Sequence, residues 1–193
     1  MKAKLVLLSI LVVVALAVIL PTTAMAKGPG TVGATVFDAK LMPTNAPPVA
    51  GELHLVLNPR AIRLRVMLHV WGIRDNMLHT AAITGFTSGQ PARLPTPAYD
   101  ANKDGIISGA EAAVAVGDPL VWLEPIKVKR NGKIVFYATL TNSQLAALSP
   151  IDIMLGKCAI VVYGVMQQPT YGLPFYDPTA PLTSGLIKAK KAI

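Results

Sequence analysis

Acidic side chains are scarce in this chain. Asp and Glu number 10 among 193 residues, against 18 Lys and Arg, for a formal net charge of +8. Charged residues reach 15%, where about a quarter is usual, and that excludes a disordered or acidic solvating chain. The lone cysteine, Cys158, excludes an internal disulfide, so stability rests on the core or on a metal. Its apolar neighbours point to a buried, inert thiol. Three histidines, His54, His69 and His79, show neither H-x-H nor H-x₃-H spacing, and no G-x-S-x-G is present. Asp38, Glu52, Asp75 and Glu124 are scattered and suggest no pair for acid/base work. These absences weigh against an enzyme. Basic runs at Lys127 to Lys133 and Lys188 to Lys191 lack interleaved aromatics, so they read as solvated charge and not as a nucleic-acid surface.

Hydrophobic residues are plentiful at 52%, and many sit at the front. Lys2 and Lys4 precede an apolar run from Leu5 to Leu20, broken only by Ser9, and Ala24-Met25-Ala26 follows Pro21. Basic start, apolar stretch and small-x-small site predict a signal peptide over 1–26. The run is shorter than the roughly 18 residues a spanning helix needs. The remaining chain, 27–193, is expected to be a single exported domain, secreted or at the cell surface, that meets a membrane only through an uncleaved signal segment.

That domain reads as strands. Val32, Ala34 and Val36 alternate with Gly33, Thr35 and Phe37. Ile62, Leu64, Val66, Leu68 and Val70 take one face of a longer run, with Arg63, Arg65, Met67, His69 and Trp71 on the other. A period of two held that long predicts a strand with one buried face. Glu52 to Leu57 is its expected partner through a turn at Asn58-Pro59-Arg60. Leu120 to Val128 and Lys133 to Leu140 flank Lys129-Arg130-Asn131-Gly132, a hairpin signal, with Ile134, Phe136, Ala138 and Leu140 inward. Thr141 or Asn142 caps one short helix over Ser143 to Leu148, and Cys158 to Val165 suits a central strand. The expected fold is all-β: an antiparallel sandwich or barrel with one short helix and a calcium-binding loop insertion.

The insertion carries the chemistry. Asp100-Ala101-Asn102-Lys103-Asp104-Gly105-Ile106-Ile107-Ser108-Gly109-Ala110-Glu111 fits the twelve-residue EF-hand loop at every defined position. Calcium wants about 6–8 hard oxygens. Asp100, Asn102 and Asp104 supply them at positions one, three and five, and Gly105 permits the turn. Ile106 offers its carbonyl, Ser108 binds directly or through water, and Glu111 closes the site. A chance match is on the order of one in ten thousand for such a chain. Pro95 and Pro97 oppose an entering helix, Ala110 to Val116 suits an exiting turn or two, and no second loop of this type occurs. A lone loop in an otherwise long 87–119 excursion reads as a structural clip, not a switch.

The order Asn76-Met77-Leu78-His79-Thr80-Ala81-Ala82-Ile83-Thr84-Gly85-Phe86, Pro95-Thr96-Pro97-Ala98, the calcium loop, and Lys157-Cys158-Ala159-Ile160-Val161-Val162-Tyr163-Gly164 resembles exported microbial proteins related to the CHRD domain. Those proteins often carry an EF-hand-like or dockerin-type loop between the same two segments. The resemblance covers roughly residues 62 to 187 and implies an antiparallel β-barrel or sandwich of largely unassigned role. Such relatives tend to read H-x-H-G in the first segment and His-Gly at the end of the last. Here Ala82, Thr84 and Tyr163 stand at those places, which leaves only His79 nearby and weakens a redox or dismutase-like role.

The leading expectation is a secreted or cell-surface calcium-binding β-protein with a structural or binding role. Its metal ligands are Asp100, Asn102, Asp104, Ile106, Ser108 and Glu111, and its partners are the calcium ion and either a second copy of itself or an extracellular polymer. The alternatives are a histidine-metal enzyme, and a calcium-dependent carbohydrate or polymer binder stacking on Trp71, Trp122 and the tyrosines.

Overall fold

Alternating and continuous apolar runs both become strands, and they pair into one sheet. The computed structural model describes residues 33–45, 48–74, 76–167 and 173–190, so the signal-segment reading of 1–26 lies outside the described residues. Ten strands follow in chain order: β1 (Thr35–Pro43), β2 (Ala50–Asn58), β3 (Arg63–Trp71), β4 (Leu78–Gly85), β5 (Asp118–Trp122), β6 (Ile126–Lys127), β7 (Lys133–Leu140), β8 (Ala159–Gln167), β9 (Phe175–Leu186) and β10 (Lys188–Ala189). Their order in the sheet is β5-β4-β8-β9-β1-β2-β3-β7, antiparallel throughout, with β10 added to β1 and β6 to β4. The sheet curls into a half-barrel, and the all-β expectation holds.

The concave side is the main core. Phe37, Ala39 and Leu41 of β1, Leu53, Leu55 and Leu57 of β2, and Leu64, Val66, Leu68 and Val70 of β3 all point there. Each such aliphatic or aromatic side chain contributes roughly 1.5–3 kcal/mol on burial. A 3-10 helix, Asn142–Leu148, packs against β5 and adds Leu145 and Leu148 to this core. Thr141 caps it in a reciprocal capping box with Gln144. The expected short helix is therefore present in 3-10 form, followed by α2 (Ile151–Leu155).

Three strand expectations need correction. Ile62 is not in β3: its φ of 44° places it in the turn, where it is exposed. Asn58 Oδ1 accepts from the Arg60 and Ala61 amides and shapes that turn. The first strand runs from Thr35 to Pro43, later than the alternation suggested, and residue 32 falls outside the described residues. The Asn131-Gly132 turn forms, with Gly132 at φ 71° and its amide on the Lys129 carbonyl, but it does not join a hairpin. Only a single Lys129–Lys133 bridge spans it. The run from Leu120 to Val128 breaks at Leu123-Glu124-Pro125, its two pieces pair with β4, and β7 pairs instead with β3.

A second, smaller cluster lies on the convex side of β4 and β8. The excursion between β4 and β5 crosses that face and carries α1 (Gly109–Val116). Ala92, Ala115 and Val116 from the excursion meet Ala82, Ala159, Val161 and Tyr163 from the sheet. That packing places the twelve-residue loop at the edge of the covered face.

Candidate calcium loop and the histidines

The loop is built by its own side chains bonding its own backbone. Asp100 Oδ2 accepts from the Gly105 amide at 2.9 Å, Asn102 Oδ1 from the Asp104 amide at 2.9 Å, and Asp104 Oδ1 from the Ile106 amide at 2.8 Å. Each bond turns the chain toward the same interior, as short polar side chains do in tight turns. Lys103 at φ 58° and Gly105 at φ 86° take the left-handed backbone that this curl requires. A single three-residue 3-10 turn, Pro97–Tyr99, precedes the loop in place of a helix, as the prolines anticipated.

Glu111 closes the ring. One carboxylate oxygen accepts from the Ala101 amide at 2.9 Å and the Asn102 amide at 3.4 Å, and the other accepts from the Ser108 amide and hydroxyl, each at 2.8 Å. Ser108 in return caps α1 by accepting from the Glu111 amide, which completes a capping box. The Ser108 amide and hydroxyl, followed by the amides of Ala101 and Asn102, hold the Glu111 carboxyl below its ordinary value of 4.5. Glu111 thus ties the first residues of the loop to its last.

Asp100, Asn102, Asp104, Ile106, Ser108 and Glu111 all lie on this one ring, with Ile107 turned into the core at 4% exposure. One atom is left over: Asp100 Oδ1 is buried and has no hydrogen-bond partner. A carboxylate oxygen taken from water without a partner is costly. Among the described residues no three His, Cys, Asp or Glu side chains gather as a metal cluster; the donors are spread round the ring and include an amide, a hydroxyl and a carbonyl. Such a mixed, oxygen-only set suits a hard cation such as calcium, and the unpartnered Asp100 oxygen is a further acceptor of the kind such a cation takes.

The histidines take three separate sets of partners. His54 Nδ1 lies 2.5 Å from Asp38 Oδ1, and Lys190 Nζ is 3.5 Å from the other oxygen. Burial alone would raise the Asp38 carboxyl, but His54 and Lys190 outweigh it and hold it below 3.8. His69 Nε2 lies 3.0 Å from the Tyr137 hydroxyl, while its Nδ1 is 3.4 Å from Glu52. His54 and His69 share the convex face of β2 and β3, each beside its own carboxylate. His79 is fully buried, 3.1 Å from the Tyr163 carbonyl and edge-on to Tyr176. Cys158 is buried with its Sγ on the Met154 carbonyl, and burial pushes the thiol up to about 11. It is inert at neutral pH.

Core packing, the ordinary fate of tryptophan, does not apply here. Trp71 is 42% exposed on the convex face of β3, and Trp122 is 56% exposed on β5, where its ring leans on Tyr163. No family model matches the chain, and no curated protein matches it. No helix among the described residues is long and apolar enough to cross a membrane.

Proposed function

We propose that the loop is a calcium clip: a structural cation site in an exported β-protein that fixes the long excursion onto the convex face of the half-barrel. The buried, unpartnered Asp100 Oδ1 is the observation that carries the reading. A cation there would be met by Asp100, Asn102, Asp104, the Ile106 carbonyl, Ser108 and Glu111, and it would neutralise three carboxylates crowded into a chain with few others. Calcium supplies charge and coordination, and no reaction is assigned to it. The ring's own hydrogen bonds set the turn before any ion arrives, which lowers the ordering cost of binding.

The way the excursion is held, by one bond to the chain before β8 and one within itself, supports a structural role. Arg93 donates its amide to the Ala115 carbonyl, and Ala92 donates its own to Lys157. Differential scanning calorimetry with calcium and with a chelator tests this directly. Calcium should raise the melting temperature, by about 2.7 kcal/mol of added stability at a hundred-fold excess over Kd. Asp100→Ala combined with Glu111→Ala should abolish the increment. Superimposable melts of loaded and chelated wild-type protein would sink the proposal.

A polymer-binding role is the second reading, and the exposure of Trp71 and Tyr137 on one sheet face favours it. Aromatic side chains held open to solvent are stacking surfaces for sugar rings. Binding to a glycan array that disappears in Trp71→Ala is the expected result, and an unchanged profile removes this reading.

A further inference from the structure

The loop does not stand on its own bonds alone. Asn45, just beyond the end of β1, reaches across 62 positions of sequence to the middle of the ring. Its Oδ1 accepts from the Ile107 amide at 2.7 Å, and its Nδ2 donates to the Ile107 carbonyl at 2.6 Å. The same Nδ2 donates to the Pro181 carbonyl of β9 at 3.0 Å. One carboxamide therefore holds both backbone groups of a single loop residue and fastens that residue to the sheet. The amide side chain suits the task because it presents a donor and an acceptor side by side.

The surroundings make this a fixed point. Thr44 donates its amide to Leu182, and its hydroxyl lies 3.0 Å from the Ser184 hydroxyl, so β1 is stitched to β9 right up to Asn45. Beneath, Asp177 Oδ1 accepts from the Thr179 hydroxyl and amide and from the Ala180 amide, which sets the backbone of β9. Gly109, the first residue of α1, lies so close to this stretch that a Cβ would come within 2.7 Å of the Thr179 carbonyl. Asn45, the buried Ile107 side chain and this glycine approach join the loop, the helix start and the sheet at one place.

We propose that Asn45 is the positioning residue of the calcium site. This rests on the calcium reading of the loop. Ile107 stands between two ligating positions, the Ile106 carbonyl and Ser108. Fixing both of its backbone groups fixes the direction of that carbonyl and the place where the Ser108 side chain begins. Asn45 touches no ligand atom; it acts through Ile107, as outer-shell partners act through the ligands they orient. The sheet thereby supplies from a distant strand the support that a lone loop lacks.

Isothermal titration with calcium chloride on the full chain tests the assignment, with Thr44→Ala as the comparison. Asn45→Ala should weaken calcium binding about 10–100-fold, the range for lost outer-shell partners, and should shrink the calcium-induced rise in melting temperature. Thr44→Ala removes a neighbouring bond of the same β1–β9 seam, and it should lower the melting temperature in chelator while leaving the calcium affinity at the wild-type value. Wild-type affinity in Asn45→Ala, whatever its melting point, overturns the proposal. Amide exchange in the wild type covers the case in which Asn45→Ala does not fold: the Ile107 amide should be protected even in chelator, and free exchange there also overturns it. A wild type that takes up no calcium refutes the calcium reading itself, a result distinct from a loss confined to Asn45→Ala.

Discussion

The convex faces of β3 and β8 were built to opposite specifications. Along β3, Arg63, Arg65, Met67, His69 and Trp71 face outward, and none of them is buried. Along β8, every residue from Ala159 to Val165 is buried on both faces. The reason is the excursion from β4 to β5, which lays Ala92, Ala115 and Val116 over Ala159, Val161 and Tyr163. A strand with a lid is apolar throughout, and a strand without one alternates. Burial pushes the Tyr163 hydroxyl up to about 12, with the Asp118 charge adding to it, another sign that this face is shielded from water. Ordinary residues between two strands thus convert half of a wet surface into a second core.

The largest expected effect breaks this contrast at its centre. Val161→Asp places an unpaired charge under the lid and should cost about 3–5 kcal/mol in urea unfolding, whereas Met67→Asp on the open face of β3 should stay within about 0.5 kcal/mol. Equal costs at the two positions would show that the lid does not cover β8 in solution.

A smaller contrast separates two glycines of the excursion. Gly117, φ 78°, ends α1 against the Gly85 backbone, where a Cβ would overlap the carbonyl group. Gly105, φ 86°, has open space around the same position. Gly117→Ala combines left-handed strain with a backbone clash and should cost about 2–5 kcal/mol. Gly105→Ala carries the strain alone, about 1–2 kcal/mol. A Gly117→Ala melt no lower than that of Gly105→Ala would detach the lid's exit from β4.

The smallest effect is one of pH. Glu111 sits on the exposed side of the lid, and its folded pKa lies below the ordinary 4.5, so its stabilisation is complete above that value and is lost as pH falls through the folded pKa. In chelator, the melting temperature of the wild type should exceed that of Glu111→Gln by a constant margin above 4.5, and the margin should close below it. A margin that ignores pH would mean that the ionised carboxylate does not hold the ring.

Local pattern was legible in the sequence wherever one chemistry dominated a stretch. The alternation of β3 announced its open face, the unbroken apolar run announced β8, and the spacing of Asp100, Asn102, Asp104 and Glu111 announced a ring that the structure draws together. Pairing was legible for β2 and β3, which join through the turn at Asn58-Pro59-Arg60, but not for β7. The Asn131-Gly132 turn is real, yet β7 goes to β3, because strand partners are chosen by the curvature of the whole sheet and not by the nearest turn. β4 showed no period, since Ala81, Ala82 and Ile83 are buried on both faces, and β9 was masked by Pro178, Pro181 and Gly185, residues that strands ordinarily avoid. Asn45 gave no local sign at all. Its meaning lies 62 positions away, at Ile107.

The ends of the excursion meet: Gly85 pairs with Asp118, and Gly117 presses on Gly85. The chain therefore leaves the sheet and re-enters it at a single neck. Because closure cost grows only slowly with the length of a loop, the ladder of β4 and β5 is nearly indifferent to how much chain passes through that neck. This is the architecture of a graft point. A foreign segment with closely spaced ends can replace residues 87–116, on one condition: it must bring its own apolar cover for Ala82, Ala159 and Val161.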